Sequence, residues 1–206
     1  MTEPLYIISS CTIANSAAFK NNEAFFSAAG TGLQDFLLQL YHYLHADYPK
    51  FYKMDTLSKL GWLASEILMK NEPVKQAYQP EEVALVISNA NASLDTDLKY
   101  YQTVETASPS LFVYTLANIL IGEICIRNNF KGEHACFISE EFNASLIQQH
   151  VTDLFENHNI RLCICGWVDV LEEDYKAVLF LVSGNKTGKA VLFTEETMNT
   201  IFKVGK

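Results

Sequence analysis

The stretch SPSLFVYTLANILIGEICIR, residues 108–127, decides how this chain is read. From position 111 to 126 it is apolar nearly all round, the pattern of a helix buried in the middle of a domain. Ser108 and Pro109 suit its opening, because a proline in the first turn gives up an N–H that has no helical partner anyway. Asn128 and Asn129 suit its end. Outward from this segment, Ala135, Cys136, Phe137 and Ile138 make a compact β-rich run, and residues 5–8, 83–87, 162–165 and 178–182 make others. Apolar residues at helical spacing mark 33–44, 57–69, 143–155 and 194–202, with Asp55 and Thr56 placed to cap the second of these. Residues 184–188 read as a turn, and 190–193 as a short strand or a helix entrance.

Strands that alternate with helices, each strand a continuous apolar run, predict an α/β fold in which helices cover both faces of the sheet. The expectation is one domain over residues 1–206, with a five-stranded, mostly parallel sheet. Residues 166–176 are too few for a crossover helix, so the last two strands are expected to run antiparallel.

Composition excludes several classes of function. With 49% hydrophobic and 19% charged residues the chain is not of disordered type, and no apolar run reaches the length of a membrane span. A net charge of −9 argues against nucleic acid and against an anionic bilayer as partners. Cys11, Cys125, Cys136, Cys163 and Cys165 are odd in number, lie in apolar stretches and lack zinc spacing, so they read as buried thiols, with no metal and no cofactor expected. The first four residues, Met1 to Pro4, carry an acid and no basic segment, which predicts a cytoplasmic protein without a secretory signal.

Several local strings resemble the N-terminal half of the β-ketoacyl synthases, the 3-oxoacyl-ACP synthase family of the thiolase fold. Met54, Asp55, Leu57, Ser58, Lys59 and Leu60, then Ala64 and Leu68, are similar to its "MDxxSxL" helix. Residues 108–127 are similar to its "SP…PYTxxNxxAGxxAIR" segment, and Gly132 and Gly166 fall near its "RGP" turn and the double glycine ending its fourth strand. Counting from both sides, the resemblance puts Glu141 where the family has its cysteine nucleophile.

That position has chemical consequences. A condensing enzyme needs a thiolate at a strand-to-helix elbow to accept an acyl group, and a carboxylate cannot take that part. The resemblance therefore implies an elbow without condensing chemistry. The two histidines the family draws from its C-terminal half have no counterpart among His42, His45, His134, His150 and His158, which read as surface or helix-face residues. Cys136, five residues before Glu141, is a rival nucleophile only if it is not an ordinary core thiol. Glu140 and Glu141 form an acid pair expected to be solvated at a helix start. Asp169, Glu172, Glu173 and Asp174 read as a solvated acidic loop. In the family the strand before the nucleophile pairs across a two-fold axis, so the resemblance implies a homodimer, or a heterodimer with a full-length ketosynthase, through Ala135, Cys136, Phe137 and Ile138. Chain-length subunits of polyketide systems are a precedent for a partner of this kind in fatty acid or polyketide biosynthesis. The alternatives are an acyl-chain or acyl-carrier-protein binder, with a pocket beside residues 111–126, and a half-enzyme completed in trans.

Overall fold

A computed structural model describes residues 3–103, 105–106 and 109–204. A long strand β1 (Tyr6–Ala14) turns into a hairpin, β2 (Ala17–Lys20) and β3 (Glu23–Ser27), and helices α1 (Leu33–Tyr43), α2 (Thr56–Met69) and α3 (Val74–Ala77) follow. Strand β4 (Val83–Asn89) leads through α4 (Leu94–Gln102), α5 (Pro109–Val113) and α6 (Ile119–Asn128) to β5 (His134–Ile138). After α7 (Ala144–Asn157) come β6 (Leu162–Leu171), β7 (Asp174–Ser183), the short β8 (Val191–Leu192) and α8 (Glu195–Phe202).

The strands form one sheet in the order β3-β2-β1-β7-β6-β4-β5, with β8 beside the start of β1. It has eight strands where five were expected. The five are all present as β1, β4, β5, β6 and β7. Because β7 is antiparallel to both β1 and β6, and β4 is parallel to β5 and β6, four of these run one way and β7 runs against them. The surplus comes from the β2–β3 hairpin, whose few apolar residues are interrupted by Asn21 and Asn22, both left-handed, and from β8, where residues 190–193 read as a short strand or a helix entrance.

Helices α1, α2 and α6 bury one face of the sheet, around Phe36, Leu60, Trp62, Leu63 and Ile124. Helices α7 and α8 bury the other, around Ile147, Val151, Met198 and Phe180. The caps are local: Asp55 accepts from the Ser58 N–H at 2.9 Å to start α2, and Asn143 accepts from the Leu146 N–H at 3.0 Å to start α7. Asn129, at φ 59°, ends α6 in the left-handed conformation that asparagine tolerates.

The single long helix expected over 111–126 is two helices separated by turns at 114–118. Side chains there compete with the helix for the backbone: the Thr115 hydroxyl donates to the Phe112 carbonyl at 2.7 Å, and the Ser93 hydroxyl holds the Thr115 carbonyl at 2.8 Å. Ser108, expected to open the segment, lies outside the described residues. Nor is the segment buried all round, since Phe112, Val113, Leu116 and Ile126 are exposed. Gly166 does not end its strand either. It sits inside β6 at φ +143°, where a Cβ would lie 2.1 Å from the Val178 carbonyl oxygen.

Candidate functional site

The crossover from β4 to β5 leaves on one face of the sheet and the return from β5 to β6 on the other, so the chain reverses its winding beside β4. The carboxyl ends of β4, β5 and β6 surround that switch point, where open α/β sheets hold their sites. Residues 139–143 link β5 to α7 there. The Ser139 N–H continues the ladder to the Asn89 carbonyl at 2.9 Å, and its hydroxyl bonds the Glu141 carbonyl at 2.9 Å. Residues 139–145, with Glu195 and Asn199 of α8, line an open depression of about 630 Å³.

Glu140 and Glu141 are both exposed on this rim, as expected of a solvated pair. Neither is at the helix start itself, because Asn143 is the N-cap and α7 begins at Ala144. None of residues 139–143 takes a positive φ, so the link is a relaxed bend and not a strained elbow. Beneath it, Phe142 stacks on Phe202 at 4.5 Å between ring centres and meets Trp167 edge-on at 6.4 Å. This aromatic packing ties Phe142, next to Glu141 in the chain, to β6 and α8.

The histidines stay apart from the depression. His42, His45, His134 and His158 are exposed, His158 lies 3.6 Å from Asp153, and His150 packs its ring against Phe137. Cys136 is half buried in β5, where burial pushes its thiol pKa up and away from the thiolate form. The pocket expected beside residues 111–126 is not where the larger hollows lie. A second depression, of about 590 Å³, opens between Lys20, Asn21, Lys70 and Lys189 on the opposite flank of the sheet.

Of the acidic residues read as a solvated loop, Glu172, Glu173 and Asp174 are exposed and Asp169 is not. Asp169 is inside β6 and accepts from the N–H groups of Ala90 and Asn91 at 3.1 and 2.9 Å and from the Asn91 amide at 2.7 Å. Glu173 accepts from the Leu33 N–H at 2.9 Å, and the Glu172 N–H donates to buried Asp95 at 3.1 Å. Loop ends and helix starts converge at this end of the sheet with unpaired N–H groups, and the carboxylates satisfy them. Asp174 is exposed at the end of the hairpin.

A buried acid was overlooked in the sequence. Glu123 of α6 is only 4% exposed, takes the Tyr114 hydroxyl at 3.0 Å and pairs with Lys50 at 2.9 Å. Burial and the Glu123 carboxylate push the Tyr114 pKa up, so the hydroxyl keeps its proton and donates. A lone acid in an otherwise apolar helix was the available signal.

Among the described residues, strand β5 is the outermost strand of its flank, paired only with β4. The Leu85 N–H donates to the Glu133 carbonyl at 3.0 Å and Ser139 to Asn89, so the two-residue alternation of the ladder turns the odd-numbered backbone groups toward β4. The N–H and C=O groups of His134, Cys136 and Ile138 consequently face outward. The opposite edge, β3, carries the devices that discourage pairing, a register shift in its ladder with β2 and the Glu23–Lys189 ion pair at 3.3 Å. The β5 sequence HACFI has no proline or lysine, its ladder has no register shift, and Ile138 is 56% exposed.

Solved structures share this arrangement. The chain superposes on the ishigamide ketosynthase/chain length factor with a TM-score of 0.62 and 12% identity, over 90% of this chain and 63% of that one. A structure of a type II polyketide synthase acyl-carrier protein in complex with its ketosynthase gives 0.57 and 11%, over 89% and 64%. The fold is the ketosynthase fold. A ketosynthase in complex with its chain length factor from Xenorhabdus doucetiae gives 0.54 and 13%, over 87% of this chain and 79% of that one. The chain thus spans less than two thirds of the length of the first two. No family model and no curated protein matches its sequence.

Proposed function

We propose that the chain is a non-catalytic dimerising partner of a condensing enzyme in polyketide or fatty acid biosynthesis. The bare β5 edge carries this reading. A regular strand with outward backbone groups and no blocking residue is a template for another strand, and the opposite edge of the same sheet shows how a chain protects itself when none is wanted. Ketosynthases and chain length factors are seen together in the structures this fold resembles, which supports a ketosynthase as the occupant. Glu141 at the family's nucleophile position supports a non-catalytic role. It also counts against a half-enzyme completed in trans. The acidic rim of Glu140, Glu141 and Glu195 does not suit an anionic carrier arm, so carrier protein is expected to meet the ketosynthase subunit instead.

The test is light scattering on the chain mixed with a full-length ketosynthase from the same organism. A one-to-one complex, lost in Cys136→Pro, is expected. That substitution removes an outward N–H but no bond to β4, so the fold survives. No association across micromolar concentrations would overturn the reading. Incubation with an acyl thioester followed by intact-mass measurement is expected to give no covalent adduct.

A further inference from the structure

The geometry points to a phosphate-binding site in a notch of the sheet's far flank, where Lys20, Lys70, Lys189 and the turn at 187–190 surround a stretch of β1 that no strand covers, and whose ligand is a phosphate monoester with an apolar or aromatic body. The notch lies away from the carboxyl ends of β4, β5 and β6, and it stands whether or not β5 pairs with a ketosynthase.

Strand lengths make the notch. On this side of β1, β2 covers only Cys11 to Ala14 and β8 only Tyr6 and Ile7. Left-handed Asn21 closes over Ser10, taking its N–H on Oδ1 at 2.8 Å and giving its own N–H to the Ser10 carbonyl at 2.9 Å. Ile8 is left without a strand beside it. It joins Phe25 of the hairpin, Lys70 and Asn71 at the end of α2, and Thr187, Gly188 and Lys189 of the β7–β8 loop in lining the depression of about 590 Å³. The Phe25 ring is held edge-on against Tyr43 at 5.6 Å between ring centres.

Charge at the notch runs against that of the chain. Three lysines meet two acids, Glu23 and Glu72, in a protein of net charge −9. Lys20 donates to the Lys70 carbonyl and lies 3.5 Å from Glu72, so this one cation answers both that acid and the negative end of the α2 dipole. Burial still lowers the Lys20 pKa, and Glu72 restores it only in part, so further negative charge beside it is favourable. Lys189 meets Glu23 at 3.3 Å, but with the two side chains 91% and 77% exposed the pair is weak and exchanges readily. Lys70 has no ion pair among the described residues. Nor do the N–H groups of Gly188 and Lys189 or the Thr187 hydroxyl have a hydrogen-bond partner among them. Successive free N–H groups beside a lysine, in a turn that Gly188 allows by its φ of +52°, are the parts from which phosphate cradles are made. A bare oxyanion would leave the Phe25 and Ile8 wall unused, which is why the ligand carries a body.

The experiment is titration calorimetry on the whole chain with AMP, inorganic phosphate and adenosine as probes. AMP is expected to bind one to one and about tenfold more tightly than inorganic phosphate, and adenosine not at all. Lys70→Ala and Lys189→Ala should each weaken AMP about tenfold, and because both side chains are exposed the fold survives their loss. Glu23→Gln frees Lys189 and should tighten binding. Lys53→Ala removes the same charge from a lysine outside the notch and should change nothing. No binding of AMP at millimolar concentration, equal affinity for AMP and inorganic phosphate, or AMP binding that survives both lysine substitutions overturns the site. An equal loss in Lys53→Ala does so too, since it would reduce the effect to net charge. None of these outcomes bears on association with a ketosynthase.

Discussion

Gly166 carries one of the tightest demands on any single residue. Its φ of +143° suits only glycine, and a Cβ would press on the Val178 carbonyl of the neighbouring strand. Gly166→Ala is expected to cost about 3 kcal/mol, read as a lower urea midpoint, because neither backbone can retreat without breaking the β6–β7 ladder. Asp55 shows a different tension. Burial raises its pKa above the ordinary 3.8, although it caps α2 and accepts from Thr96 at 2.7 Å. The folded state therefore holds the proton more tightly than the unfolded one. The stabilisation that goes with it is full below pH 4 and falls away as the pH climbs through the raised value. Asparagine caps as well and carries no charge, so Asp55→Asn is expected to gain on the parent between pH 4 and 7 in parallel denaturation curves. Capping by Asp55 was readable from a lone acid before a periodic segment. Its contact with Thr96, 41 positions away, was not, because nothing local in either segment reports the other.

At the scale of elements, what could be read was whatever is written in continuous runs. Strands β4, β5, β6 and β7 and helices α2, α7 and α8 each carry one uninterrupted apolar pattern and stood where expected. The β2–β3 hairpin and the break between α5 and α6 escaped because their causes are single polar atoms: left-handed asparagines in one, hydroxyls holding carbonyls in the other. Within the candidate site, exposed Glu140 and Glu141 were legible, whereas the packing of Phe142, Phe202 and Trp167 on one another depends on three segments meeting. The backbone alternation in β5 makes its own prediction. In hydrogen exchange, the Ala135 and Phe137 amides should be slow in every state, while those of Cys136 and Ile138 should be fast in the dissociated chain and slow once a strand is added.

For the whole molecule, the net charge of −9 and the polar depression at the carboxyl ends of the strands leave little there to attract an anionic ligand. On the proposed reading, binding energy is concentrated on the β5 flank. Association with a ketosynthase should depend weakly on salt, since backbone hydrogen bonds and apolar contact carry it, and titration calorimetry at 50 and 300 mM salt is the check. The two edges of the sheet also set a rule of supply in the cell. On the proposed reading, a chain whose bare flank is a ready template for sheet growth is safe only when matched in number, so overproduction without a ketosynthase should divert the surplus into inclusion bodies or degradation. Joint production should raise the recovered yield out of proportion to the added message, and a gene order that couples translation of the two chains would serve the same end.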